Sequence, residues 1–73
     1  MRRLSEFPNR LRQLRERRRI SRRVLSELCG LNTKNVSRYE RGEMQPTGVT
    51  LEKLADFFEV SMDYLWGRDE KKF

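Results

Sequence analysis

Apolar positions recur along this chain at the spacing of amphipathic helices and nowhere alternate as a half-buried strand requires. Phe7, Leu11 and Leu14 fall at i, i+4 and i+7 and lay one stripe along a first helix. Pro8 suits only a first turn, where its missing N–H is not needed, so this helix starts within residues 6–9 and runs to about Arg18. Ser21 predicts the N-cap of a second helix that turns Val24, Leu25, Leu28 and Cys29 inward. Gly30 ends it, because glycine enters the left-handed conformation at little cost. Asn32 caps a third helix on which Val36, Tyr39 and Glu40 share a face, and Gly42 closes it. A loop over residues 43–47, holding Pro46, leads to a fourth helix with Leu51, Leu54, Ala55 and Phe58 at i, i+3, i+4 and i+7. A short fifth helix after Ser61 places Met62, Leu65 and Trp66 against the others. The pattern predicts one all-α domain, a compact bundle of five helices. An arm and the start of the first helix fill residues 1–10, and a charged tail, expected to fray, fills residues 68–73.

Function can be built on the second and third helices and the short turn around Gly30. Two helices joined by such a turn stand at about 90–120° to each other, so the second projects from the body of the protein. On it, Thr33, Lys34, Ser37 and Arg38 lie at i, i+1, i+4 and i+5, one outward face turned away from Val36, Tyr39 and Glu40. Short polar side chains near the N-terminus and a long arginine one turn later suit a helix entering a major groove end-first. A plain solvated face has the same polarity, and local electrostatics argues against it. Arg22 and Arg23 sit in the first turn of the second helix and Lys34 in that of the third, where each cation opposes the helix dipole by about 0.3–1 kcal/mol. A docked phosphate reverses the sign, since helix N–H groups and cations then act together.

Charge and composition add to this. Lys and Arg number 17 against 11 Asp and Glu, a net charge of +6, and eight of the cations lie in residues 10–23. Such a surface attracts polyanions, of which DNA is the commonest in a cytoplasm. The 73 residues fit one small domain that buries only about 60% of its unfolded surface. Cys29 is the single cysteine; it falls on the apolar stripe and reads as a small core residue of a protein in a reducing cytoplasm. Histidine is absent and the four glycines are dispersed, so imidazole bases, Cys–His metal sets and glycine-rich phosphate loops are excluded. The expectation is a protein that is not an enzyme and takes no metal or cofactor. Its apolar runs are too short to span a membrane, and a basic helix tied into a globular core does not read as a membrane binder.

Residues 11–67 carry LRQLRERRRIS, VLSELCGLNTKNVSRYERGE, Pro46 and LEKLADFFEVSMDYLWG in that order. Their order and spacing resemble the phage-repressor and Cro-like helix-turn-helix (XRE) family, with a lambda-repressor-like fold and the helix-turn-helix at residues 22–41. The resemblance implies a sequence-specific transcriptional regulator, a repressor of bacterial or phage type, cytoplasmic and nucleoid-associated, that inserts its third helix into the major groove of double-stranded DNA. It implies base reading by Thr33, Lys34, Ser37 and Arg38, and backbone contacts by Arg22, Asn32 and Arg41, to which the placement of Arg23 adds a fourth. Arg38 or Lys34 suits guanine O6 and N7, and the Thr33 methyl suits a thymine methyl. It further implies that Arg15 and Glu40 form a buried ion pair locking the first helix to the third. The inward place of Glu40 agrees, since a lone buried carboxylate is expensive.

The chain departs from the family at three points. Arg22 stands where the family usually has Gln, which turns an amide into a cation and a phosphate ligand. Ser26 replaces a typical Ala where helices pack, and the loop with Glu43, Met44 and Gln45 lacks the basic residues many relatives place there. Phe57, Met62, Tyr64 and Trp66 admit two readings, an apolar seam for a twin subunit or plain packing of the fifth helix. A homodimer would set two recognition helices about 34 Å apart on a palindromic operator. The alternative within this fold is an antitoxin that binds both its operator and a toxin protein. A protein-interaction module without DNA binding is a third possibility, against which the cations at two helix starts argue.

Overall fold

The computed structural model describes residues 5–68 and runs through α1 (Phe7–Arg17), α2 (Arg22–Cys29), α3 (Thr33–Glu40), α4 (Gly48–Phe58) and α5 (Met62–Trp66), with no strand among the described residues. Four helix starts are fixed by side-chain oxygens that take an otherwise orphaned backbone N–H. Ser21 accepts from Val24, Asn32 from Lys34, Thr47 from Thr50 and Ser61 from Tyr64. α1 starts differently, with Pro8 in its first turn and Ser5 Oγ accepting from the Phe7 N–H at 3.1 Å. α2 ends on Gly30 at φ +68°, whereas α4 ends on Glu59 at φ +60°, a left-handed cap made without glycine. At Gly67, φ is +98° and a Cβ would fall 2.9 Å from the Glu6 backbone nitrogen, so only glycine lets the end of α5 close on the start of α1.

The core draws on every helix: Phe7, Leu11 and Leu14 from α1, Leu25 from α2, Val36 and Tyr39 from α3, Leu54, Ala55 and Phe58 from α4, and Leu65 from α5. The Phe7 ring meets Tyr39 edge-on at 5.7 Å and Trp66 at 6.0 Å, joining the recognition side of the bundle to its C-terminal side. α3 packs on α2 and α1, α4 on α5 and α2, and α5 on α1. One side of α3 is therefore held by two neighbours and the other is left to solvent.

α2 does not follow the stripe expected of it. Leu25 is buried, but Val24 is 39% and Leu28 61% exposed, and Cys29 is half-buried. The second inward position belongs to Ser26, which is 1% exposed. A helix of eight residues held mainly by one neighbour buries a narrow stripe, and close packing against α3 favours a small side chain. The hydroxyl is tolerated because it donates to the Arg23 carbonyl oxygen at 2.6 Å. Burial pushes the Cys29 thiol up, against the nearby Lys53 charge, which suits a packing role. The arm at residues 1–4 and the tail beyond Arg68 lie outside the described residues.

Candidate nucleic-acid interface

Thr33, Lys34, Ser37 and Arg38 come together with Arg41 around one shallow, open hollow on the outer side of α3. Thr33, Lys34 and Arg38 are exposed and Ser37 is half-buried, while Val36, Tyr39 and Glu40 on the opposite side are buried. Neither Lys34 nor Arg38 makes a salt bridge or a side-chain hydrogen bond among the described residues. Two cations thus stand on this face outside any ion pair, although Glu43 is close enough to Arg38 to feel its charge. Thr33 is less free, because its Oγ1 lies 2.8 Å from Ser26 Oγ. At the start of α3, Asn32 Oδ1 accepts from the Lys34 N–H at 2.8 Å, so this side chain is committed to capping through its oxygen.

Beneath this face lies a charge cluster. Arg15 donates to both Glu40 oxygens, Nε to Oε2 at 2.6 Å and Nη2 to Oε1 at 3.1 Å, and its Nη1 donates to the Ile20 carbonyl at 2.9 Å. The side chains are 10% and 2% exposed, so the pair is taken out of water and its geometry must satisfy both partners. The hydrogen bond from Glu40 raises the Arg15 pKa, against the lowering effect of burial. Arg15 thereby fixes α1, the turn into α2 and the end of α3 as one unit. Through Ile20 it also holds the left-handed residue Arg19, at φ +57°, which no glycine marks in the sequence.

Arg22 differs from the lone phosphate ligand expected of it. Its Nε donates to Glu40 Oε1 at 3.0 Å, so the buried carboxylate serves two arginines. The Arg22 side chain is nevertheless 46% exposed, at the start of α2, and Glu16 adds a second, more exposed carboxylate 4.0 Å from Arg15. Arg23 is paired weakly with Glu27 at 3.4 Å, and both are well exposed. Arg41 is also engaged: its Nε and Nη2 donate to Glu43 at 3.0 and 3.1 Å. This hydrogen bonding raises the Arg41 pKa and holds the Glu43 carboxyl below the usual carboxylate range. The residue after α3 therefore carries its own counter-charge, which an Arg two residues before a Glu in a turn signals only in retrospect.

The four residues of the supposed seam are not one apolar patch. The Arg18 guanidinium lies 5.1 Å from the Phe57 ring centre and donates to the Phe57 carbonyl at 3.3 Å. Arg10 stacks on Tyr64 at 4.3 Å and donates to its carbonyl at 2.6 Å. Trp66 packs on Phe7. Phe57, Tyr64 and Trp66 are all half-buried, and of the four only Met62, at 38%, is exposed.

The helix-turn-helix family (HTH_3) matches residues 11–65. The chain is 36% identical over 61 residues to the HTH-type transcriptional regulator ImmR of Bacillus subtilis (strain 168), a match covering 84% of this chain and 48% of that one. It is 33% identical over 64 residues to the HTH-type transcriptional regulator AnsR of the same strain, covering 88% and 55%. The chain spans about half the length of these relatives. The P22 c2 repressor in complex with synthetic operator 9T superposes with a TM-score of 0.81 at 30% identity, over 86% of this chain and 96% of that one. The restriction-modification controller protein C.AhdI from Aeromonas hydrophila superposes with a TM-score of 0.77 at 34% identity, over 85% and 94%.

Proposed function

The chain belongs to the helix-turn-helix family, and from that premise we propose that it is a sequence-specific DNA-binding regulator of transcription, acting as a repressor, that lays α3 in the major groove. The observation that carries this is the outer face of α3, where Lys34 and Arg38 stand exposed and outside any ion pair beside Thr33 and Ser37. Lys34 and Arg38 reach guanine acceptors, Thr33 and Ser37 contact neighbouring base edges, and Arg22, Arg23, Asn32 and Arg41 flank them along the phosphates. The relatives named as transcriptional regulators and the likeness to a repressor on its operator support the same role. No catalytic step enters it, and no described helix is long and apolar enough to cross a membrane. The protein would work in the cytoplasm.

A domain reading four or five base pairs cannot find one site among about a million or more competitors, so it binds as two copies on a palindrome. Selection from random duplex DNA tests the proposal. Enrichment of one sequence with a two-fold half-site pattern is expected, with affinity falling by about 0.9 log unit per phosphate contact for each log unit of salt. Enrichment of no sequence, or tighter binding to single strands than to duplex, would refute it.

A further inference from the structure

Ser26 is buried in α2, away from any face that reaches DNA, yet its hydroxyl touches a residue on the reading face. The two hydrogen bonds it makes determine each other. The Arg23 carbonyl oxygen, 2.6 Å away, can only accept, so it takes the single Ser26 hydroxyl proton. At 2.8 Å from Thr33 Oγ1, the Ser26 oxygen is then the acceptor and Thr33 the donor. The bond also holds the Thr33 side chain in one staggered rotamer, with Oγ1 toward α2 and its methyl in a different direction.

We propose that Ser26 is a specificity-determining residue: by taking the Thr33 hydroxyl proton it leaves Thr33 only an acceptor lone pair and a methyl group to offer DNA. This rests on the major-groove role of α3 proposed above. Guanine N7 and O6, thymine O4 and the phosphates are all acceptors, so Thr33 has nothing to give them. An A·T pair presents what Thr33 can still use, the thymine methyl and the adenine N6 donor, on one edge. A G·C pair offers a donor on cytosine N4 but no methyl. Thr33 therefore selects an A·T pair, and the choice is made one helix away.

The test is a set of duplexes carrying every single base-pair change in the selected site, titrated with the parent, Ser26→Ala and Thr33→Val. Ser26→Ala frees the Thr33 proton and strands no buried group, since Thr33 is exposed. At one base pair, and only there, the parent's preference for A·T over G·C should shrink by about three- to tenfold, the range of a single hydrogen bond. Thr33→Val keeps the methyl and removes the acceptor, so it too should reduce the A·T preference at that position, and adding Ser26→Ala to it should change the profile no further. A Ser26→Ala profile parallel to the parent's at every position overturns the inference, because a purely structural serine would scale all sites alike. So does a Thr33→Val protein in which Ser26→Ala still changes the preference at that position. If Ser26→Ala does not fold, Ser26→Cys, close in size and a weak acceptor, takes its place under the same expectation. A parent with no preferred duplex at all would instead overturn the proposed function, and this inference with it.

Discussion

Replacing Arg15 by Met asks how far Arg22 supports the buried carboxylate. Arg15 supplies Glu40 with bonds of 2.6 and 3.1 Å, and Arg22 supplies one of 3.0 Å. Stranding a buried charge costs about 3–5 kcal/mol, which is much of the roughly 4–11 kcal/mol a domain of 73 residues possesses. Arg15→Met does not strand Glu40 completely, because Arg22 stays against it, and a cost of about 2–3 kcal/mol follows. Arg22→Ala alone leaves the stronger partner in place and removes a half-exposed cation, for about 0–1 kcal/mol. The two changes together leave a carboxylate 2% exposed with no cation, so the double variant should lose at least about 1 kcal/mol more than the sum. Urea melts followed by far-UV circular dichroism and by the single tryptophan, which packs on Phe7, measure all four proteins. Losses that add within about 0.3–0.5 kcal/mol would refute the shared-carboxylate reasoning. An Arg15→Met protein as stable as the parent would place the whole cluster in solvent.

Other perturbations act on the reading face and on assembly. Glu43→Gln should tighten duplex binding by about two- to fivefold at low salt, by releasing Arg41 and removing a negative charge, and the gain should fade as salt screens exposed charges. The depressed Glu43 pKa means the tie to Arg41 is present above the usual carboxylate pKa and is lost only as pH falls through the lowered value, so the gain should be flat between pH 6 and 8 (about two units above that range). Arg22→Ala should weaken every duplex about equally and reduce the salt slope by about one contact, a change visible in titrations at several salt concentrations. Two proteins per palindromic duplex are expected by sedimentation. Trp66→Ala should change stability through its contact with Phe7 more than it changes cooperativity on DNA, and the reverse outcome would restore the aromatic seam.

The helices are legible because four of the five starts carry a capping side chain and most interiors a periodic stripe. Ser21, Asn32, Thr47 and Ser61 all cap in the structure, although the sequence around Pro46 makes Thr47 look like the end of a loop. Periodicity alone turns Glu40 inward, whereas its partner Arg15 follows only from the family resemblance. α2 misled because apolar residues at Val24 and Leu28 resemble a core face, while the crossing with α3 demanded the small Ser26 instead. What one chain pattern does not reveal is which charge answers which. Arg22 and Arg41 read as free cations, yet Arg22 meets Glu40 across the fold and Arg41 meets Glu43 where the turn after α3 folds back. Likewise, the Arg10 and Arg18 contacts that occupy Tyr64 and Phe57 join residues far apart in sequence.

The groove itself is the most direct test. Once the preferred duplex is selected, each guanine can be replaced in turn by 7-deazaguanine, which removes the N7 acceptor from the major groove and leaves the minor groove intact, or by inosine, which removes the N2 donor from the minor groove. With α3 in the major groove and Arg38 or Lys34 on guanine, at least one 7-deazaguanine duplex should bind the parent about three- to tenfold more weakly. That penalty should vanish for Arg38→Ala or for Lys34→Ala, whichever residue makes the contact, while inosine duplexes bind as well as the unmodified site. Sensitivity to inosine together with indifference to every 7-deazaguanine would contradict a major-groove recognition helix.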